Sequence, residues 1–286
     1  MKPAPFDYVR PSSVDDAIEA LRAAGGEGKV LAGGQSLVPL LSMRLANPTT
    51  LVDLNDLSAL VGISAEDGRV RFGAMTRQSD LMTQEEHPLV AEAVRWIGHA
   101  AIRSRGTMGG SLAHADPSAE LPAVAVATDA VLRVQGPTGE RLIAIDEWFE
   151  TMLQTSIADD EILIEANLAV PHRWGFAEMA RREGDFALVL AAITQVDSEW
   201  RVVLGGIDAK PWRCEAAELV LAQHATAAPT HEPERIMQMV TEAVHDTLQT
   251  FDDLHASASY RRAMAAHVAG QAISQALTSS QSAVAK

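Results

Sequence analysis

A short apolar run, Lys29–Ala32, leads without a break into Gly33-Gly34-Gln35-Ser36-Leu37. Further along, Thr107-Met108-Gly109-Gly110-Ser111 repeats the pairing of two glycines with hydroxyl residues. Adjacent glycines let a backbone aim successive N–H groups at one point with no Cβ in the way, and a neighbouring hydroxyl adds a donor. One such loop could hold a phosphate, and two converging loops could hold a pyrophosphate. Neither signature matches GxGxxG or GxxxxGK[ST], so a Rossmann or P-loop reading has no support.

The residues around the second signature add charge. Arg103 and Arg105 precede it, placed to offset a pyrophosphate or simply to solvate a loop. Asp116 and Glu120 follow it among small residues. A carboxylate is the usual acceptor for ribose hydroxyls, and helix capping around Pro117 accounts for the same two acids equally well.

Composition narrows the function classes. A chain of 286 residues has room for two or three domains. With 47% hydrophobic and 21% charged residues it reads as soluble and globular. No apolar run approaches the roughly 18 residues of a membrane span, and Met1–Asp7 does not read as a signal peptide, so the cytoplasm is expected. A net charge of −15 argues against a nucleic-acid partner. Cys214 is the single cysteine, which rules out an internal disulfide and any iron–sulfur or structural zinc centre held by this chain alone. Such a centre must sit on another polypeptide, and Cys214 reads as a semi-buried thiol. The nine histidines show no HExxH spacing. The nearest metal pair is His114 with Asp116, and no metal ligand is nominated.

Periodicity organises the rest. Ser12 or Ser13 with Asp15 or Asp16 starts a helix carrying Val14, Ile18 and Leu21 on one face, and Gly25-Gly26 ends it. Lys29–Ala32 and Leu51–Leu54 read as strands, and Leu37–Leu45 as helix or irregular. Ala59–Ser64 and Arg69–Gly73 flank a hairpin turn at Glu66-Asp67-Gly68. Thr76 is expected to cap a helix to Gln84, and a second helix to run from Pro88 to about Ala100. Leu121–Ala127 is helical, Pro122 being tolerated in a first turn. Ala130–Val134 and Glu140–Ile145 form a hairpin, and Ile162–Val170 is a strand closed by Pro171. Beyond it, Phe176–Arg182, Leu188–Val196 and Trp200–Gly206 read as antiparallel strands. Helices follow over Arg213–Leu221, Glu234–Leu248 and Ser259–Leu277, and Ser279–Lys286 reads as a frayed tail. The expected domains are 1–55 and 56–171, two α/β subdomains, and 172–286, a sheet with helices.

The two signatures, together with Ile102-Arg103-Ser104-Arg105-Gly106 and Ala113-His114-Ala115-Asp116-Pro117, resemble the FAD-binding medium subunits of molybdenum hydroxylases. That family includes the carbon monoxide dehydrogenase medium chain, the quinoline oxidoreductase medium subunit and the flavin part of xanthine dehydrogenase. Asp160-Glu161-Ile162-Leu163, Arg181-Arg182-Glu183-Gly184-Asp185-Phe186-Ala187, Leu204-Gly205-Gly206 and Leu254-His255-Ala256-Ser257-Ala258-Ser259-Tyr260-Arg261-Arg262 extend the match over almost the whole chain. The resemblance implies an α+β protein: an FAD-binding unit of the PCMH type, made of two α/β subdomains, then a small α+β domain of the CO dehydrogenase flavoprotein type.

The resemblance also implies roles. Lys29, Leu31, Ala32, Gly33, Gly34, Gln35, Ser36 and Leu37, with Gly106, Thr107, Met108, Gly109, Gly110 and Ser111, would line the pyrophosphate of FAD. Asp116 and Glu120 would lie toward the ribose or adenine, and Ile162 or Leu163 with Phe176 near the flavin ring. Ser111 stands where many members carry Asn, and Ala177 follows Phe176 where xanthine-type members carry Lys; both lean toward the carbon monoxide and N-heteroaromatic branch. The implied partners are a small subunit with two [2Fe–2S] clusters and a large subunit holding the molybdenum cofactor, in a dimer of heterotrimers. Electrons would pass from the clusters through FAD to an external acceptor, so no residue of this chain is nominated as acid, base or nucleophile. The alternatives are a free-standing flavin oxidase acting on a small molecule, and a non-catalytic nucleotide sensor.

Overall fold

A computed structural model describes residues 2–225 and 232–278; the expected tail Ser279–Lys286 lies outside them. The chain forms strand β1 (Asp7–Val9), helix α1 (Val14–Ala23), β2 (Gly28–Leu31), α2 (Leu37–Met43), β3 (Thr50–Asp53), β4 (Ile63–Glu66) and β5 (Arg69–Gly73). Next come α3 (Gln78–Leu81), α4 (Pro88–Trp96), α5 (Ala100–Arg103), α6 (Met108–His114) and α7 (Glu120–Ala127). Strands β6 (Val131–Gly136), β7 (Gly139–Ala144), β8 (Phe149–Thr151), β9 (Gln154–Thr155), β10 (Ile162–Ala169), β11 (Arg173–Ala180), β12 (Ala187–Val196), β13 (Glu199–Gly205) and β14 (Trp212–Arg213) follow. Helices α8 (Glu215–His224), α9 (Pro233–Thr247) and α10 (Ala258–Thr278) close the described chain.

These elements make two compact units. The first takes residues up to 86, then 99–115 and 131–168. In it β3 pairs in parallel with β1 on one side and β2 on the other. Parallel neighbours need a crossover, and α1 and α2 supply it. The Ser13 hydroxyl caps α1 by accepting from the Asp16 N–H at 3.0 Å. Ala17, Ile18 and Leu21 are buried against Val52, Leu54 and Met75. A five-stranded sheet in the order β4-β5-β10-β6-β7 completes the unit.

Two local expectations of this unit are corrected. Residues 58–60 turn as a 3-10 helix, so the first hairpin strand starts only at Ile63. Thr76 caps nothing. Its hydroxyl exchanges 3.0 Å bonds with the N–H and the carbonyl of Gly62, and the short helix that follows has Arg77 at its N-cap position, with no side-chain cap, and ends at Leu81.

The second unit takes residues 87–98, 116–130 and 169 onward. Its antiparallel sheet runs β11-β12-β13-β14. Strand β12 is apolar on both sides because both faces are covered. Val189, Ala191 and Ile193 pack toward α8, α9 and α10, where Val240, Val244, Val268 and Ala272 meet them. On the other side the Thr194 hydroxyl bonds the carbonyl of Ala127 in α7. Helices α4 and α7 fall inside the range expected for the second α/β subdomain, yet here they cover the sheet of the C-terminal region. The helix expected from Pro88 to Ala100 stops at Trp96, and α5 starts afresh after Gly98 (φ +44°). Buried Arg173 on β11 donates to the carbonyls of Ala276 and Leu277 and so closes the C-terminal end of α10. Cys214, expected to be semi-buried, is fully buried, and burial pushes its thiol up.

Candidate functional site

The first glycine signature leaves the carboxyl end of β2, the side on which open parallel sheets bind ligands. Gly34 takes φ +73°, where a Cβ is strained, and the chain then enters α2. Among the described residues the main-chain N–H groups of Gly33, Gly34, Gln35 and Ser36 donate to no protein acceptor. Gly33 is buried and the other three half-buried. Four successive donors left partly buried without partners are costly unless something outside the chain accepts from them.

The second signature is built differently from the expectation. It is the start of helix α6 rather than an open loop, and its donors are already engaged. Met108 N–H bonds the Thr76 carbonyl at 3.0 Å, and Gly109 N–H the Ala74 carbonyl at 2.8 Å. Gly110 N–H bonds the Thr107 hydroxyl at 3.0 Å, and Ser111 N–H the Thr107 carbonyl at 3.2 Å. Its glycines serve close packing. A Cβ on Gly109 would stand 2.6 Å from the Cβ of Ala74, and one on Gly106 would stand 2.6 Å from Cδ of Gln78.

The structure does bring the two signatures together, within the first unit. A Cβ on Gly33 would collide with the Arg105 carbonyl group, 2.8 Å from its carbon and 2.9 Å from Cα of Gly106. A Cβ on Gly110 would lie 3.5 Å from that of Ala32. The Ser111 hydroxyl makes no hydrogen bond among the described residues.

Four residues that the sequence pattern did not single out frame the contact. Arg77 donates from Nη1 to the Arg105 carbonyl at 2.5 Å and from Nη2 to Asn55 Oδ1 at 2.6 Å. Asn55 Nδ2 donates to the Ala32 carbonyl at 2.9 Å and also to Asp53. Asp53 accepts from the Tyr8 hydroxyl as well. Burial pushes the Asp53 carboxyl up, but the Tyr8 and Asn55 hydrogen bonds outweigh it and hold it below the usual range. Burial and the Arg105 charge lower Arg77. The only advance signal was the pair of polar residues, Asp53 and Asn55, at the end of β3; nothing marked Arg77.

The other expected positions are dispersed. Lys29 is exposed on β2 and Leu31 half-buried, while Leu37 opens α2. Ile162 lies in the core of the first unit against Val52 and Met75, and Leu163 is buried beside it on β10. Asp116, Glu120 and Phe176 belong to the second unit. Asp116 Oδ1 accepts from the Ser118 N–H at 2.9 Å, an Asx turn. The Phe176 ring stands 6.3 Å from that of Trp96. Both line a cavity of about 700 Å³ with Glu178, His267, Gln271 and Gln275. Glu120 is buried at the start of α7. Burial, aided by the Asp116 charge, pushes its carboxyl up to about 8. Glu178, which the sequence pattern missed, is pushed to about 9 by burial and the nearby Glu120, and its Oε2 has no hydrogen-bond partner among the described residues. Among the described residues no group of three His, Cys, Asp or Glu side chains could hold a metal.

The row of free donors fits an anionic diphosphate: a short run of N–H groups, a Gly at positive φ, and a hydroxyl at Ser36 that caps no helix. A family model described as the FAD binding domain in molybdopterin dehydrogenase matches residues 4–172. A second, described as the CO dehydrogenase flavoprotein C-terminal domain, matches residues 174–276. The chain belongs to the FAD-binding medium subunits of the molybdenum hydroxylases. This medium subunit is 39% identical to the 6-hydroxypseudooxynicotine dehydrogenase complex subunit alpha of Paenarthrobacter nicotinovorans, over 91% of this chain and 90% of that one. It is 31% identical to the carbon monoxide dehydrogenase medium chain of Hydrogenophaga pseudoflava, over 96% and 98% of the two chains. Among solved structures, quinoline 2-oxidoreductase from Pseudomonas putida 86 superposes with a TM-score of 0.89 at 30% identity, covering 97% of this chain and 98% of that one. The medium subunit is thus an oxidoreductase subunit with FAD as its cofactor, and its α+β fold is that of the family. No helix among the described residues is long and apolar enough to cross a membrane.

Proposed function

We propose that this medium subunit carries electrons between an iron–sulfur partner and an external acceptor, with FAD held by its diphosphate on the N–H row of Gly33 to Ser36. The observation that carries the reading is that row: four donors, partly buried, for which the described residues supply no acceptor. FAD, when bound, supplies the exchange between one-electron centres and a two-electron acceptor. The chain's own task is to bind and orient. Gly33, Gly34, Gln35 and Ser36 donate to the diphosphate, Ala32 and Gly106 to Gly110 form the wall beside it, and Ser111 adds a hydroxyl. The neighbouring Lys29, Leu31 and Leu37 shape the strand and helix ends around that row. The roles of Asp116 and Glu120 toward the ribose or adenine, and of Ile162 or Leu163 and Phe176 toward the ring, rest on the family resemblance. The side chains of Ile162 and Glu120 are too buried to be read as open contacts from their surroundings.

The single buried cysteine supports placing the [2Fe–2S] clusters on a small partner subunit, and the family supports a large subunit with the molybdenum cofactor. We propose a dimer of such heterotrimers, in the cytoplasm, with substrate oxidised on the large subunit. The medium subunit itself divides functionally at about residue 171, with 1–55 and 56–171 as the flavin-binding subdomains and 172–286 as the third domain. Purification of the native complex, with flavin, iron and molybdenum analysis of each subunit, tests the whole reading. FAD on this chain with iron and molybdenum only on partners is expected. A chain that purifies alone and turns over a small molecule with its own flavin would overturn it in favour of an oxidase.

A further inference from the structure

Resting on the flavin site proposed above, we propose that Asn55 and Arg77 are positioning residues that aim the first donors of the Gly33–Ser36 row. A trans peptide is planar, with its C=O and N–H pointing in opposite directions. Whatever holds the Ala32 carbonyl therefore sets the direction of the Gly33 N–H. Asn55 Nδ2 holds that carbonyl at 2.9 Å. Gln35 Nε2 holds the next carbonyl, that of Gly33, at 3.1 Å and so aims the Gly34 N–H in the same way.

Asn55 is itself held from both sides. Its main-chain N–H donates to Asp53 Oδ1 at 2.9 Å, its Nδ2 donates to the same carboxylate, and its Oδ1 accepts from Arg77 Nη2 at 2.6 Å. The second arm of the Arg77 fork reaches the Arg105 carbonyl at 2.5 Å, the very group on which Gly33 is seated. Tyr8 closes the far end on Asp53. A line of hydrogen bonds from Tyr8 through Asp53, Asn55 and Arg77 to Arg105 thus grips the Ala32–Gly33 peptide, by its carbonyl and by the glycine's backing. A planar fork holds its two N–H arms at a fixed angle to these acceptors; an ammonium keeps the charge but not that geometry.

The test uses the full chain stripped of flavin, titrated separately with FAD, ADP and riboflavin, with the ³¹P spectrum of bound ADP as a second readout. Asn55→Ala and Arg77→Met are expected to weaken FAD and ADP by about tenfold or more each, to leave riboflavin affinity unchanged, and to shift the bound phosphorus resonances. Arg77→Met on the Asn55→Ala background should add less than about twofold, because both act through one contact. Arg77→Lys should lose nearly as much as Arg77→Met, and it serves as the second variant if either of the others fails to fold. If ADP binds the unaltered chain but all three variants bind it equally well, the positioning role is overturned while the flavin site stands. Wild-type affinity in Arg77→Lys, or an equal loss for riboflavin, also overturns it. If ADP neither binds the unaltered chain nor competes with FAD, the flavin site itself is misplaced.

Discussion

Ser36 and Thr107 occupy the same place in two look-alike segments, each a hydroxyl at the N-cap of a seven-residue helix beside a glycine pair. They are used in opposite ways. Thr107 is extended (φ −130°, ψ 159°) and its hydroxyl accepts from Gly110 N–H, the ordinary capping bond. Ser36 is already helical (φ −98°, ψ −45°) and its side chain caps nothing. The second signature settles the N–H groups of Met108 to Ser111 within the fold, whereas among the described residues the first leaves those of Gly33 to Leu37 without an acceptor. Sequence similarity between two loops therefore says little about which one keeps its donors free. What decides is the main-chain accounting: where each N–H finds its acceptor.

The harshest way to break this comparison is to pry the two segments apart. Gly33→Ala places a methyl inside the Arg105 carbonyl group, a rigid backbone neighbour that cannot swing away. A loss of about 3 kcal/mol is expected, at the upper end of overpacking, with no flavin retained. Gly109→Ala pits two effects against each other. A helix gains about 1 kcal/mol from alanine over glycine, but the new Cβ stands 2.6 Å from that of Ala74 and 2.9 Å from its backbone. Overlap wins, for a net loss of about 1–2 kcal/mol. Denaturant unfolding of both apo variants checks the order. A Gly33→Ala chain that is as stable as the unaltered one and stays yellow would break the picture of two segments in contact.

The second unit offers a contrast of charge. Where the first unit leaves donors unpaired, the second buries two acids, Glu120 and Glu178, held protonated to about pH 8 and 9. Both values lie above the ordinary 4.5, so between pH 4.5 and about 8 the folded chain binds protons that the unfolded chain has released. Their contribution to stability is full below pH 4.5 and is lost as pH rises toward 9, with a slope of about 1.4 kcal/mol per pH unit for each extra proton the folded pair holds. Thermal melting from pH 5 to 9 should show a falling Tm, and Glu178→Gln, which keeps a neutral shape, should flatten the slope. A Tm that rises over this range would show that the acids are ionised and paired in the fold.

Much of the architecture was legible, and the failures share a cause. Helix α1, the two hairpins and strands β11, β12 and β13 follow from capping residues, turns and alternation, signals carried within a dozen positions. Thr76 misled because it looks like a cap, whereas its hydroxyl is taken by Gly62, fourteen positions upstream in sequence and adjacent only after folding. The glycines at 106 and 109 were legible as close-approach points, but that their closest neighbours are Gln78 and Ala74 could not be read from the chain. Glu178 was invisible because an acid on an alternating strand reads as solvent-facing; only the cover of the second unit's helices makes it buried. Arg77, a lone arginine before a four-residue helix, had no local signature at all. Its meaning lies in two carbonyl-type acceptors brought together from residues 55 and 105.

The finest discrimination comes from the paired hydroxyls. Thr107→Val keeps the side-chain shape but removes the acceptor for Gly110 N–H, so the apo chain should lose about 1 kcal/mol, the usual worth of a cap. Ser36→Ala removes a half-buried hydroxyl with no partner among the described residues, so apo stability should move by less than about 0.5 kcal/mol. On FAD the ranking inverts. Ser36→Ala should weaken binding by about three- to tenfold through one lost donor, whereas Thr107→Val should change it little once the folded fraction is taken into account. Denaturant unfolding of the apo chains and flavin titration of the folded ones separate the two quantities. Equal effects of the two variants on both would mean that the hydroxyls do the same job after all, and that free donors on the first segment do not mark the binding loop.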